Sequence, residues 1–487
     1  MKRSHLASIA LAGALLAALL PMGATAAAGA PGWVTTQLTT NADDHGVPMV
    51  SGDRVVWAGY VESWLQVFTQ KVGTEASPIQ LTTGINPHFA PAVVSGDRVA
   101  WLGYDGEYTQ VFTRKMGTDA SSVRLTTDVH DHNGLQVSND RLAWSSVVDA
   151  DTQVFTQKVG TDLSPMQLTS GGTDGSFGPQ VSGDRVVWLC DDGPGGHTQV
   201  FTRKVGIDPS PVQLSSDAHD HIGLQVSMDR TVWRVYEGAR WQVYTRKVGT
   251  DVPLQLTIVG RGGVAPTVSG DRVAWVGYDA ADVTQIFTQK IGTEPSPVQI
   301  TNDAHSHSVP QVSGDRVVWL GFDGAKDQVF TRKIGTDSSP VQLTTDAGFH
   351  GTPQVSGDRV VWVGDDGSHY QIFTASLGGV APPVTLSTKT KLSGPSSVAV
   401  KKTLKLSGTV SFSAAPGRVT IAMTRKVAGK WRNAGSVTVA VKAGKFSYSF
   451  KPKYRGTWHF VARYSGGVVG VTTYRSSKSA TKSVTVK

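Results

Sequence analysis

Val312-Ser313-Gly314-Asp315-Arg316-Val317-Val318-Trp319 is one of eight near-copies of a single octapeptide. The tryptophans that end the copies are Trp57, Trp101, Trp144, Trp188, Trp233, Trp275, Trp319 and Trp362, spaced 42 to 45 residues apart. Around Trp319 the unit reads as four short β-branched and aromatic runs separated by Gly/Asp turns. These are Pro310–Ser313, Arg316–Leu320, Gln328–Lys333 and Val341–Thr344. Runs of that length and composition are strands, and nothing in the unit has helical periodicity. A third-strand signature of Gln, Val or Ile, an aromatic and Thr recurs at Gln66, Gln110, Gln153, Gln199, Gln242, Gln285, Gln328 and Gln371. A period in this range filled by four strands predicts an all-β chain, an eight-bladed β-propeller of four-stranded blades. The eight tryptophans are expected as structural fillers, one per wedge.

Ring closure is expected from the N-terminus. Gln37-Leu38-Thr39-Thr40 copies the fourth strand ahead of the first complete unit, so residues 34–40 would supply the outer strand of the last blade. Val384-Thr385-Leu386-Ser387 is a competing copy. The propeller is thus expected over 33–388.

The order P-x-V-S-G-D-R-V-V-W, then D-G, then Q-V-F-T, resembles the TolB-type, WD-repeat-like propeller repeat of bacterial envelope proteins. That family places S-P-D-G-K before its second strand, where this chain has S-G-D-R and lacks the proline. The resemblance covers roughly 33–388 and implies the fold.

Residues 389–487 carry no copy of the motif. Seven candidate strands in this stretch predict an immunoglobulin-like β-sandwich. Gly456-Thr457-Trp458-His459-Phe460-Val461-Ala462-Arg463-Tyr464-Ser465-Gly466, followed by Tyr474 and Ser477, resembles the closing half of bacterial Ig-like repeats of secreted surface proteins. The charge is split sharply. Residues 389–487 hold 20 Lys plus Arg and no Asp or Glu, whereas 27–388 hold 24 basic and 38 acidic residues, a balance of 24 − 38 = −14. A stretch so basic points to an anionic cell-wall polymer as partner, with nucleic acid the less favoured polyanion.

Lys2 and Arg3, an apolar run to Leu20 and Ala24-Thr25-Ala26 read as a signal peptide over 1–26, so a secreted or envelope-associated protein with no membrane span is expected. The single cysteine, Cys190, excludes an intramolecular disulfide and reads as a small buried filler.

In a four-stranded blade, the loop entering the first strand and the loop after the second share one face, here the upper. The turns of the lower face barely vary between units, whereas those of the upper face do, which marks the upper face for binding. Its aromatics, Tyr60, Trp64, Tyr104, Tyr108, Tyr236, Trp241, Tyr278, Phe322 and Tyr370, are the candidate ligand platform. Histidine pairs two residues apart, His130/His132, His219/His221 and His305/His307, would point the same way on extended backbone. With Asp131 and Asp220 they form a candidate divalent-metal set. The favoured reading, however, makes the recurrent histidines structural, like the loop histidine that WD-repeat blades join to Ser, Asp and Trp.

No nucleophile elbow, zincin motif, P-loop or dinucleotide fingerprint is present. No cofactor is therefore expected, with a divalent metal kept as the alternative. The expectation is a secreted, non-enzymatic surface or wall-associated binding protein. Its propeller would hold an envelope protein or glycan, and its basic module would serve as polyanion-attracted adhesion or spacer domain. The alternatives are a metal-assisted polysaccharide-degrading enzyme and a structural spacer without a specific ligand.

Overall fold

The computed structural model describes residues 32–84, 88–170, 175–191, 193, 196–257, 261–377, 384–412, 417–469 and 472–487. The leader expected at 1–26 lies outside them. The described residues contain strands and no helix.

Eight four-stranded antiparallel sheets follow one another along the chain. The protein is an eight-bladed β-propeller. Blade seven consists of His307–Ser313, Arg316–Phe322, Asp327–Lys333 and Val341–Gln342. Its first strand starts at His307, earlier than the sequence pattern suggests. A bulge between Ser308 and Gln311, with Val309 at φ 50°, lets His307 regain register opposite Gly321. The last blade takes its outer strand from the other end of the chain: Trp33–Gln37 pairs antiparallel with Tyr370–Leu377.

Each interblade core repeats one packing unit. Val318, Leu320, Val329 and Leu343 of blade seven pack against Val360 and Trp362 of blade eight. Trp319 lies nearly parallel to Phe330 at 6.1 Å, and the same stack of second-strand Trp on third-strand Phe or Tyr recurs in all eight blades. All eight tryptophans are fully buried. Large, flat fillers of constant shape let identical wedges close at a constant angle.

The lower face is stitched by charge. Arg54 Nε donates to Asp97 at 2.9 Å, and the pattern continues through Arg98–Asp140, Arg141–Asp184, Arg185–Asp229, Arg230–Asp271, Arg272–Asp315 and Arg316–Asp358. Arg359 to Asp53, at 2.8 Å, closes the circle. Each Asp thus answers the arginine of the preceding blade, not its sequence neighbour. A second circle runs beside it, in which each blade's turn serine accepts the next blade's turn amide, from Ser51 and Gly96 round to Ser356 and Gly52.

In the C-terminal stretch, one sheet joins Thr390–Ser393, Leu404–Val410 and Lys445–Phe450. A second is centred on Arg418–Val427, Lys430–Ala440, Gly456–Tyr464 and Lys482–Val486. Both face one core, with Leu404, Leu406 and Phe446 on one side and Ile421, Trp458 and Phe460 on the other. Val384–Leu386, the rival ring-closing copy, pairs instead with Thr472–Tyr474 in this region.

Candidate functional site

The recurrent histidines belong to the blades. His45, His132, His221, His307 and His350 each open a first strand and are buried. His307 Nε2 lies 3.1 Å from Asp303, and its Nδ1 accepts the Trp319 indole N–H at 3.2 Å. His45 does the same between Asn41, at 2.6 Å, and Trp57, at 3.2 Å. His350 meets Asp346 at 3.1 Å. His132 and His221 approach Asp128 and Asp217 at 3.2 Å without the alignment of a hydrogen bond. At His307 the opposing glycine makes room, since a Cβ at Gly321 would stand 2.5 Å from the imidazole Nδ1. Burial pushes the pKa of all five below the ordinary imidazole value, and the nearby acidic groups only partly offset it.

This arrangement corrects the metal expectation. One histidine of each pair is locked in the blade, while His130, His219 and His305 stay half exposed outside it. His130, His219 and His305 lie in bends that precede the first strand, so the pair does not share the extended backbone that would have aligned it. Asp131 accepts the Thr109 amide of the preceding blade at 2.8 Å, and Asp220 that of Thr198 at 3.0 Å. Among the described residues, no group of three or more His, Cys, Asp or Glu side chains forms a metal-holding cluster.

The expected aromatic platform resolves into separate groups. Tyr60 and Trp64 are exposed together at one hairpin of blade one, Phe322 and Tyr370 are exposed on blades seven and eight, and Tyr104 and Tyr108 are partly buried on blade two. Phe349, missed in the sequence reading, packs edge-on against Tyr370 at 5.4 Å. Only at the junction of blades five and six do several candidates meet. Tyr236 packs edge-on to Trp241 at 5.3 Å, the Arg234 guanidinium stacks 4.7 Å over Trp241, and that of Arg240 lies 4.7 Å over Tyr278. Arg240 also pairs with Asp282 at 2.8 Å. Arg234 replaces the interblade Leu102, Leu189 or Leu320 of other units, and among the described residues its buried Nε finds no hydrogen-bond partner. On the other side of blade five, burial and Glu237 push the Tyr244 phenol up to about 12, so it stays a donor to that carboxylate at 3.0 Å.

Blade six adds a void. Where six other units begin the first strand with histidine, it has Gly263, so Trp275 lacks the imidazole acceptor that Trp57 and Trp319 have. A cavity of about 70 Å³ opens there, floored by Leu256, Trp275 and Phe287 and bounded by Arg261, Tyr278 and Pro297. The signal was present in the sequence, in the one unit with glycine at the histidine position and in the one unit with arginine after its core tryptophan.

No family model and no curated protein matches the chain. Solved structures share the propeller at low identity. The chain resembles prolyl endopeptidases at 16% identity with a TM-score of 0.46, covering 66% of this chain and 53% of that one. It also resembles the propeller domain of the trilobed protease from Pyrococcus furiosus, at 12% identity and a TM-score of 0.44, covering 63% and 97%. Putative TolB from Agrobacterium tumefaciens matches at 12% identity and a TM-score of 0.32, covering 53% and 94%. The chain spans about half the length of the prolyl endopeptidase it matches. At such identities the likeness concerns the fold alone.

Most of these neighbours are peptidases that carry propellers, and oligopeptidase B, tricorn protease and an isopeptidase are among them. The expectation of a non-enzymatic surface-binding protein finds no support in that set and is withdrawn.

Proposed function

We propose that the propeller engages polypeptide for hydrolysis, and that the junction of blades five and six receives the peptide. The observation that carries this reading is the break in symmetry there. A ring whose wedges are otherwise filled alike has, at one place, a small apolar cavity, three clustered aromatics and a guanidinium with an unanswered N–H. An apolar side chain suits the cavity, and peptide carbonyls suit the exposed Arg261 guanidinium at its edge. We further read the C-terminal sheets, 389–487, as an Ig-like module and the protein as secreted, on the strength of the leader pattern and the two-sheet core.

The test uses variants that restore the repeat. Arg234→Leu with Trp241→Thr reinstates residue types that other blades carry at these positions. Unstructured peptides rich in small apolar residues are expected to quench tryptophan fluorescence of the full chain saturably, and the double variant to lose at least tenfold in affinity. Mass spectrometry of the same mixtures reads cleavage. Equal binding by the double variant would remove the site from this role.

A further inference from the structure

We propose that the outer face of the sheet Thr390–Ser393, Leu404–Val410 and Lys445–Phe450 is a groove for a linear phosphodiester chain. This site is separate from the propeller and independent of the peptide reading. Strand register builds it. Lys391 stands opposite Thr409, Thr409 opposite Lys445, and Lys445 opposite Lys442 across the Ala443-Gly444 turn. Cross-strand partners share a face, so three lysines and a threonine form one row. At about 4.8 Å per strand, the row spans about 14 Å. The next row is Ser393, Ser407 and Ser447, and Lys405 lies beyond it beside Ser449. All of these side chains are exposed. Together with the end of Lys430–Ala440 they line a groove of about 740 Å³.

The row is costly without a partner. Like charges directly opposite one another destabilise a sheet, and residues 389–487 contain no carboxylate side chain to relieve them. The described residues show no ion pair to any of these lysines. An anion with several charges in line would lower that repulsion, and the serine row supplies neutral hydroxyl donors to its oxygens. Lysine, a point charge without a guanidinium fork, suits phosphate more than the bidentate geometry of carboxylate. The only aromatic in the lining, Phe446, is turned into the core. Bases therefore find no stacking platform in the groove, which favours a polyol phosphate over nucleic acid.

The experiment measures binding of the full chain to a linear glycerol-phosphate oligomer at 50 and 200 mM salt. Four phosphates neutralised on a flexible chain give a slope near −3 in log K against log salt, about a 50-fold loss over this range. Lys391→Gln with Lys442→Gln and Lys445→Gln is expected to bring the slope near −1. The charge-matched set Lys401→Gln, Lys451→Gln and Lys453→Gln, outside the groove, should leave it near −3. Melting curves check that both variants fold. Equal losses in the two sets would overturn the groove in favour of diffuse charge. Single-stranded DNA of equal charge binding as tightly as the oligomer would overturn the choice of a polyol phosphate.

Discussion

The two faces of the ring use the same residue types for opposite ends. On the lower face, every turn aspartate is answered by an arginine of the preceding blade, buried in all but Arg359, and seven of them also by a lysine, as in Lys71 with Asp97. The hydrogen bond from Arg54, Arg141, Arg185 and Arg230 holds Asp97, Asp184, Asp229 and Asp271 below the ordinary carboxylate pKa. On the upper face, carboxylates secure loop amides and buried histidines, as Asp105 does for Tyr108 and Asp303 for His307. Repetition below closes the ring; above, each blade needs only its own loop held, so sequence there is free to diverge. A site is expected where that freedom has gone furthest, at blades five and six.

The lower face breaks most easily. Arg316→Met should cost about 3 kcal/mol in urea denaturation, the low end for breaking a buried pair because its carboxylates are partly exposed. An unchanged midpoint would show that the circle of charge does not hold the blades. The seam sharpens the point. Among the described residues Arg359 meets a single carboxylate, that of Asp53, which is 58% exposed, and Ser376 stands where other blades have lysine. Arg359→Met should therefore cost only about 1 kcal/mol, in keeping with an exposed pair.

Acid separates the faces by pH. The folded pKa of each buried histidine is lowered, so the unfolded chain takes up protons first and stability falls once pH drops below about 6.5. The lower-face aspartates also have lowered folded pKa values. Their contribution holds above about 3.8 and is lost only as pH falls further. Melting temperature against pH should show two descents, and a single one below pH 4 would refute the imidazole burial. The smallest expected effect is on the fold in Arg234→Leu with Trp241→Thr. This variant should shift stability by no more than about 0.5 kcal/mol, because removing the unsatisfied buried Arg234 Nε and losing its stack on Trp241 act in opposite directions.

The repeat made the blade count and the core tryptophans legible, because period and turn chemistry are local. The partners of Asp315 and its equivalents were not, since Arg272 lies one whole unit away while Arg316 sits beside it in sequence. The exact placing of the histidines was hidden for a different reason. Whether His307 is loop or strand depends on a bulge with valine at positive φ, a conformation valine's own preferences argue against. The site was half legible: Gly263 and Arg234 stand out once the units are aligned, but only packing shows that the two breaks fall at one junction.

The pairing of Trp33–Gln37 with Tyr370–Leu377 also sets an order of events in time. The segment made first finds its partner only after the last blade exists, with 333 residues separating Thr39 from the Ile372 amide it accepts. Joining ends so far apart costs about 5 kcal/mol in chain entropy beyond a constant, and none of it is returned by a partial ring. A chain halted before Tyr370 would present two raw blade flanks and a stray strand, so an interrupted copy is marked for aggregation or degradation rather than for work at reduced efficiency.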